Sequence, residues 1–150
     1  GSRTSGLYEI RHWRPGIVRT IDANIILRHL TNDVPSQAKQ AEELLKRVEE
    51  GIEEVFLPEI FLADIIWILE KYYKQPREEI REWITAIISL PGLIFSDKDL
   101  ALNALDIYLD KRIDWSDAFA SSQMLQREIT EIYSYDKHFD KIGGIARIEP

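Results

Sequence analysis

The stretch GIVRTIDANIILRHL, residues 16–30, decides how the whole chain is read. Gly16 to Ile21 is short and β-branched, the composition of a pleated strand, and it runs straight into Asp22. Asn24 to Leu30 then reads as a helical turn or two. A strand that delivers an acid to the start of a helix is the first unit, and related units follow it. Pro35 opens a helix in which Ala38, Ala41, Leu44, Leu45 and Val48 recur at three- and four-residue steps until Gly51 stops it. EVFL, residues 54–57, is a second strand closed by Pro58. The helix expected from about Glu59 to Tyr73 is apolar nearly all round, so the sequence predicts that it is buried. Pro76, with Glu78 and Glu79 in the first turn, begins another helix that Pro91-Gly92 ends, and Leu93 to Phe95 is a third strand. Ser96 with Asp99 predicts a capping box for a helix whose Ala101, Ala104, Leu105, Tyr108 and Leu109 share one face. A further helix covers about Ser116 to Arg127. EIYSY, residues 131–135, is a fourth strand delivering Asp136, and Ile145 to Ile148, after Gly143-Gly144, is a fifth. Strands separated by helices need crossovers, so the expected class is α/β, in three α/β/α layers around a mostly parallel sheet of four to five strands.

Composition narrows the chemistry. The chain has 150 residues, 19 basic and 26 acidic, a formal charge of −7, three His and no Cys. That length suits one domain, expected over residues 17–150, behind an N-terminal arm, residues 1–16, in which Gly1-Ser2 is expected to be a cloning remnant. Without cysteine there is no disulfide, thiolate nucleophile or Cys-based zinc site, which suits a reducing, cytoplasmic setting. The longest apolar stretch, Ile60 to Leu69, is broken by Asp64 and falls short of the ~20 residues of a spanning helix. No membrane association is expected. The acidic balance argues against a module that grips nucleic acid by bulk charge, but not against an enzyme that engages it transiently with metal ions offsetting its carboxylates.

The signatures of dinucleotide binding, P-loop hydrolysis, zincin proteolysis and nucleophile-elbow esterases are all missing. Carboxylates remain. In open parallel sheets the ligand crevice lies beyond the carboxyl ends of the strands, where both Asp22 and Asp136 fall. Asp64 is the lone acid of IFLADIIWIL, and on a buried helix it must be paired, protonated or bound to a cation. Asp117 sits in the first turn of the WSDAFASS helix. Each also has a plainer reading: Asp22 as a helix cap, Asp117 as a complement to the helix dipole, Asp64 as half of an ion pair, Asp136 as a turn aspartate. Together, four acids from four segments meeting at one crevice would suit Mg²⁺ or Mn²⁺, whereas His12, His29 and His138 are too scattered for a zinc site.

The succession TIDANIILRHL, LPEIFLADIIWILEKYY, DWSDAFASSQ and IYSYDKHFDKIGG resembles the PIN-domain ribonucleases, especially the VapC-like toxins of toxin–antitoxin pairs, over almost all of residues 17–150. The resemblance implies a compact α/β/α domain and Mg²⁺- or Mn²⁺-dependent endonuclease activity on RNA. It puts the family acids on Asp22, Asp64, Asp117 and Asp136, as metal ligands and catalytic residues, with Asn24 and Ser134 as supports that orient them. It also implies a small antitoxin partner and a homodimer. The family's second acid is usually Glu, so Asp64 is one methylene short. Glu59 stands five residues earlier on the same helix, about 140° around it, and substitutes poorly. Lys137, His138 and Lys141 are candidate RNA contacts beside Asp136, with a solvated turn as the plainer reading. Trp67, Tyr72, Tyr73 and Trp83 are candidates either for an interface or for core. Two rivals stand beside the nuclease: a phospho-acceptor receiver-type domain, which leaves Asp64 and Asp117 without a task, and a weak or inactive PIN-like module that binds RNA or protein.

Overall fold

The computed structural model describes residues 16–150, so the expected N-terminal arm, except Gly16, lies outside the described residues. Among those described, the strands are β1 (Arg19–Thr20), β2 (Val55–Phe56), β3 (Leu93–Ile94), β4 (Glu131–Tyr133) and β5 (Ala146–Ile148). The helices are α1 (Ala23–Thr31), α2 (Pro35–Glu49), α3 (Glu59–Lys71), α4 (Arg77–Ile88), α5 (Lys98–Lys111) and α6 (Trp115–Gln126), with a 3₁₀ helix over Lys137–Lys141. Every strand pairing is parallel, and each of the first three strands is followed by two helices.

The α/β class stands, but the strands form two sheets instead of one. The first has the order β1-β2-β3, with Arg19 opposite Val55 and Val55 opposite Leu93; the second pairs β4 with β5, Glu131 opposite Ala146. Strands of two or three residues offer few ladder bonds, so side-chain packing joins what hydrogen bonding does not. Ile21, Val55, Leu57 and Leu93 from the first sheet share one apolar cluster with Phe139, Ile142 and Ile145 from the second. Sequence periodicity locates strands well enough but says little about which carry a continuous ladder.

Local chemistry explains most element boundaries. Pro35 occupies the first turn of α2, and Gly51, at φ +74°, takes the left-handed conformation just past its end. Gly92 leads into β3 where the backbone crowds the end of α2: a Cβ there would lie 2.2 Å from the Glu53 carbonyl oxygen and 2.8 Å from that of Val48. Only glycine fits.

Two expectations need correcting. The cap of α5 is Asp97, whose carboxylate accepts the Leu100 N–H at 3.0 Å, whereas the Ser96 hydroxyl donates to Glu59. An acid beside a serine at a helix start competes for the same N–H groups, and here the acid prevails. The second correction concerns α3, which is buried on one face only. Leu62, Ile65, Ile66 and Leu69 point inward, while Ile60 is 69% exposed and Trp67 62%, with Asp64 exposed between them. A helix that is apolar all round reveals its hydrophobicity but not how many of its sides are covered, and the packing of α3 on α1, α4 and α6 leaves one side bare. Of the candidate interface aromatics, Trp67 and Tyr72 are exposed, while Tyr73 and Trp83 pack against the core. Among the described residues no helix is long and apolar enough to cross a membrane.

Candidate functional site

Two elements bring the closest acidic group together. Asp117 lies in the first turn of α6, half-buried, on a helix tied into the core by Trp115 and Ala118. Asp136 follows β4 and caps the 3₁₀ helix, its Oδ1 accepting the His138 backbone N–H at 2.9 Å. The Ser134 hydroxyl accepts the Asp136 N–H, also at 2.9 Å, so the turn holds the acid from both sides. His138 Nδ1 lies 3.2 Å from Asp136 Oδ1. Ligand-capable atoms of Asp117, Asp136 and His138 all fall within 4.8 Å of one another. Burial, reinforced by the charges of Asp136 and then Asp114, pushes the Asp117 carboxyl above its ordinary pKa, and His138 offsets only part of this. The charged form of Asp117 is therefore short of positive charge.

Alongside runs a cleft of about 350 Å³ between α3 and the start of α6, lined by Asp64, Trp67, Lys71, Asp114, Trp115 and Ser116, among others. Arg77 reaches two of its lining acids, Glu70 and Asp114. Its guanidinium donates to the carbonyls of Tyr108 at 2.7 Å and Ile113 at 2.6 Å, approaches Glu70 at 3.4 Å and Asp114 at 4.0 Å, and lies 4.2 Å from the centroid of the Tyr108 ring. The Tyr108 hydroxyl donates to Glu70, which Lys71 also meets at 2.9 Å. Burial opposes ionisation of Glu70, but Tyr108, Lys71 and Arg77 outweigh it and hold its carboxyl below the usual range. The turn that leads into Asp114 and Asp117 is thus clamped from behind.

The remaining site candidates are placed as follows. Asp64 lines the cleft from its exposed face and does not join the close group of Asp117, Asp136 and His138. Exposure removes both the cost of a buried charge and the need for a buried basic partner, so Asp64→Leu is expected to shift unfolding free energy in urea by no more than about 0.5 kcal/mol. Asp22 stands at the N-cap of α1 in extended conformation, yet its side chain makes no capping hydrogen bond and it too is outside the close group. Asn24 lines a separate groove with Ile25, Arg28, Gln37 and others. Ser134 supports Asp136 as described. Lys137 and Lys141 are exposed on the 3₁₀ helix. Glu59 is engaged by Ser96.

Sequence reasoning overlooked Asp114, although its spacing of three from Asp117 in DWSD puts both on one side of a helix start. His138, named only as a candidate RNA contact, also lies against Asp136, two residues away in the same tight turn.

The chain is an α/β domain of parallel strands with acids gathered near the end of β4, and the comparisons give it a family. The PIN domain family model matches residues 20–145, and the chain belongs to that family. It is also similar to the VapC ribonuclease of Aquifex aeolicus (strain VF5), 22% identical over 126 residues that cover 84% of this chain and 93% of the relative.

Proposed function

We propose that this chain is a divalent-metal-dependent endoribonuclease that hydrolyses RNA phosphodiester bonds, and that it serves as the toxin of a toxin–antitoxin pair. The observation that carries the reading is the meeting of half-buried Asp117 with Asp136, an electrostatic deficit that a cation would fill, in a chain of the PIN family. Carboxylate oxygens fit Mg²⁺ or Mn²⁺. Asp117 and Asp136 would hold the ion directly, and Asp22, at the start of α1, and Asp64, on α3, are the two further acids of the proposed set. When bound, the ion supplies the positive charge that activates water and steadies charge on the scissile phosphate.

The chain's own residues set the geometry. Ser134 and the His138 N–H orient the Asp136 carboxylate, while Arg77 steadies the turn into α6. Lys137 and Lys141 offer positive charge to RNA entering beside Asp136. The small antitoxin partner and the homodimer belong to the same reading, and the exposed side chains of Ile60 and Trp67 on α3 supply apolar surface next to the cleft.

Metal linkage tests the reading. Mn²⁺ or Mg²⁺ at 100 times its Kd is expected to stabilise the fold by about 2.7 kcal/mol, a rise in Tm of roughly 5–10 °C for a chain of this size. The same ions should switch on cleavage of a structured RNA panel. Equal thermal shifts in wild type and in an Asp117→Asn, Asp136→Asn double variant would move the ions elsewhere. RNA binding without cleavage at saturating metal would favour the binding-module alternative.

A further inference from the structure

We propose that His138 is a nitrogen ligand of the cation held by Asp117 and Asp136, and that this chain therefore takes Mn²⁺ in preference to Mg²⁺. The inference rests on the metal-dependent reading above and goes beyond its four-acid set. His138 Nδ1 lies 3.2 Å from Asp136 Oδ1, and a ligand atom of Asp117 lies within 4.8 Å of both residues. An octahedral ion with ligands at about 2.1 Å separates neighbouring ligand atoms by about 3.0 Å and opposite ones by about 4.2 Å. His138 and Asp136 already stand at neighbouring-ligand spacing, and Asp117, within 4.8 Å of both, is at most about 0.6 Å beyond the opposite-ligand distance.

Backbone chemistry makes this placement cheap to maintain. The His138 N–H is bound to Asp136 Oδ1 at 2.9 Å, and this bond involves the main chain, so it does not depend on the imidazole. One residue on, Phe139 is buried in the core, fixing the turn beneath the ring. The His138 side chain is 47% exposed, within reach of an ion arriving from solvent. Two carboxylates already balance the charge of a divalent ion, so a neutral nitrogen contributes donor type and not charge. Mg²⁺ is held by oxygen and keeps its waters, whereas first-row transition ions accept imidazole readily. A single nitrogen in an oxygen set is what separates them.

Pulsed EPR on wild-type protein loaded with less than one equivalent of Mn²⁺ is expected to show ¹⁴N coupling from a directly bound imidazole, and His138→Gln should abolish it. His29→Gln should leave it intact. By calorimetric titration, His138→Gln is expected to weaken Mn²⁺ at least tenfold and Mg²⁺ less than threefold. His138→Asn serves if the Gln variant misfolds by circular dichroism. Mn²⁺ bound without ¹⁴N coupling, at an affinity unchanged in His138→Gln, would overturn the proposal and leave the carboxylate centre standing. Equal weakening of both ions without ¹⁴N coupling would also overturn it, making His138 a hydrogen-bonding support. Absence of Mn²⁺ binding in wild type, or binding indifferent to Asp117→Asn and Asp136→Asn, would overturn this proposal and the metal-dependent reading together.

Discussion

Arg77→Met is expected to lower stability by about 3 kcal/mol, the low end of what breaking a buried ion pair costs, and Tm by roughly 6–12 °C. Arg77 is only 13% exposed and serves several groups at once: two carbonyls, the Glu70 carboxylate and the Tyr108 ring. Met fills much of the same volume but leaves both carbonyls without this donor. The low end applies because Glu70 keeps Tyr108 and Lys71. Arg77→Lys, which preserves charge but not the planar fork, should fall between the two. Urea denaturation with an unchanged m-value checks the size of the loss. The pH dependence follows from Glu70, whose folded pKa lies below its ordinary value of 4.5. Its stabilising contribution is complete above that value and is lost as pH falls through the lower folded pKa. The gap between wild type and Arg77→Met should accordingly narrow on the acid side. A loss below about 1 kcal/mol would show that the clamp is ornamental.

Asp117→Asn is expected to combine loss of activity with a gain in metal-free stability. Removing a ligand should cost metal-dependent cleavage more than the roughly 10–100-fold typical of an outer-shell partner. The stability effect runs the other way, because the Asp117 carboxyl is raised above its ordinary value of 3.8, chiefly by burial and then by Asp136. An acid with a raised folded pKa destabilises the fold wherever it is ionised. That cost is full above the folded pKa, shrinks as pH falls through it, and vanishes below 3.8. Without metal at neutral pH the Asn variant should therefore melt at or above the wild-type temperature, with the difference closing in acid. Saturating Mn²⁺ should reverse the order, since only wild type gains the full linkage. Melting curves at neutral and acid pH, with and without Mn²⁺, decide this alongside a cleavage assay.

Much of the architecture was open to reading before any coordinates. Pro35, Gly51, Pro76 and Pro91-Gly92 punctuate the chain by backbone chemistry that acts locally, and the elements fall between them. Asp117 and Asp136 were reachable as candidates because each follows a local signal, a helix start or a strand end. Properties that depend on neighbours distant in sequence were not legible. The bare side of α3, and with it the exposure of Asp64, depends on where α1, α4 and α6 stop covering it. The Arg77 clamp joins residues 70, 77, 108, 113 and 114 from separate elements, and none of these positions is unusual in its own segment. The division of the strands into two sheets reflects ladder bonds that side-chain alternation does not encode.

Strands β1 to β4 begin at residues 19, 55, 93 and 131, an almost constant step of thirty-six to thirty-eight residues, each step filled by two helices. In kinetic terms, the two alignments of the first sheet, β1 with β2 and β2 with β3, close loops of nearly the same length and so carry nearly the same closure entropy. The helical hairpins α1–α2 and α5–α6 have connections of only three residues, 32–34 and 112–114, and such local contacts form early. The meeting of Asp117 with Asp136 is different, since it requires α6 to dock against the segment between β4 and β5. It closes a loop of only 19 residues, about half the strand-to-strand step. A cation held there would prolong the life of the folded chain without hastening its formation to the extent that this contact forms after the folding transition state.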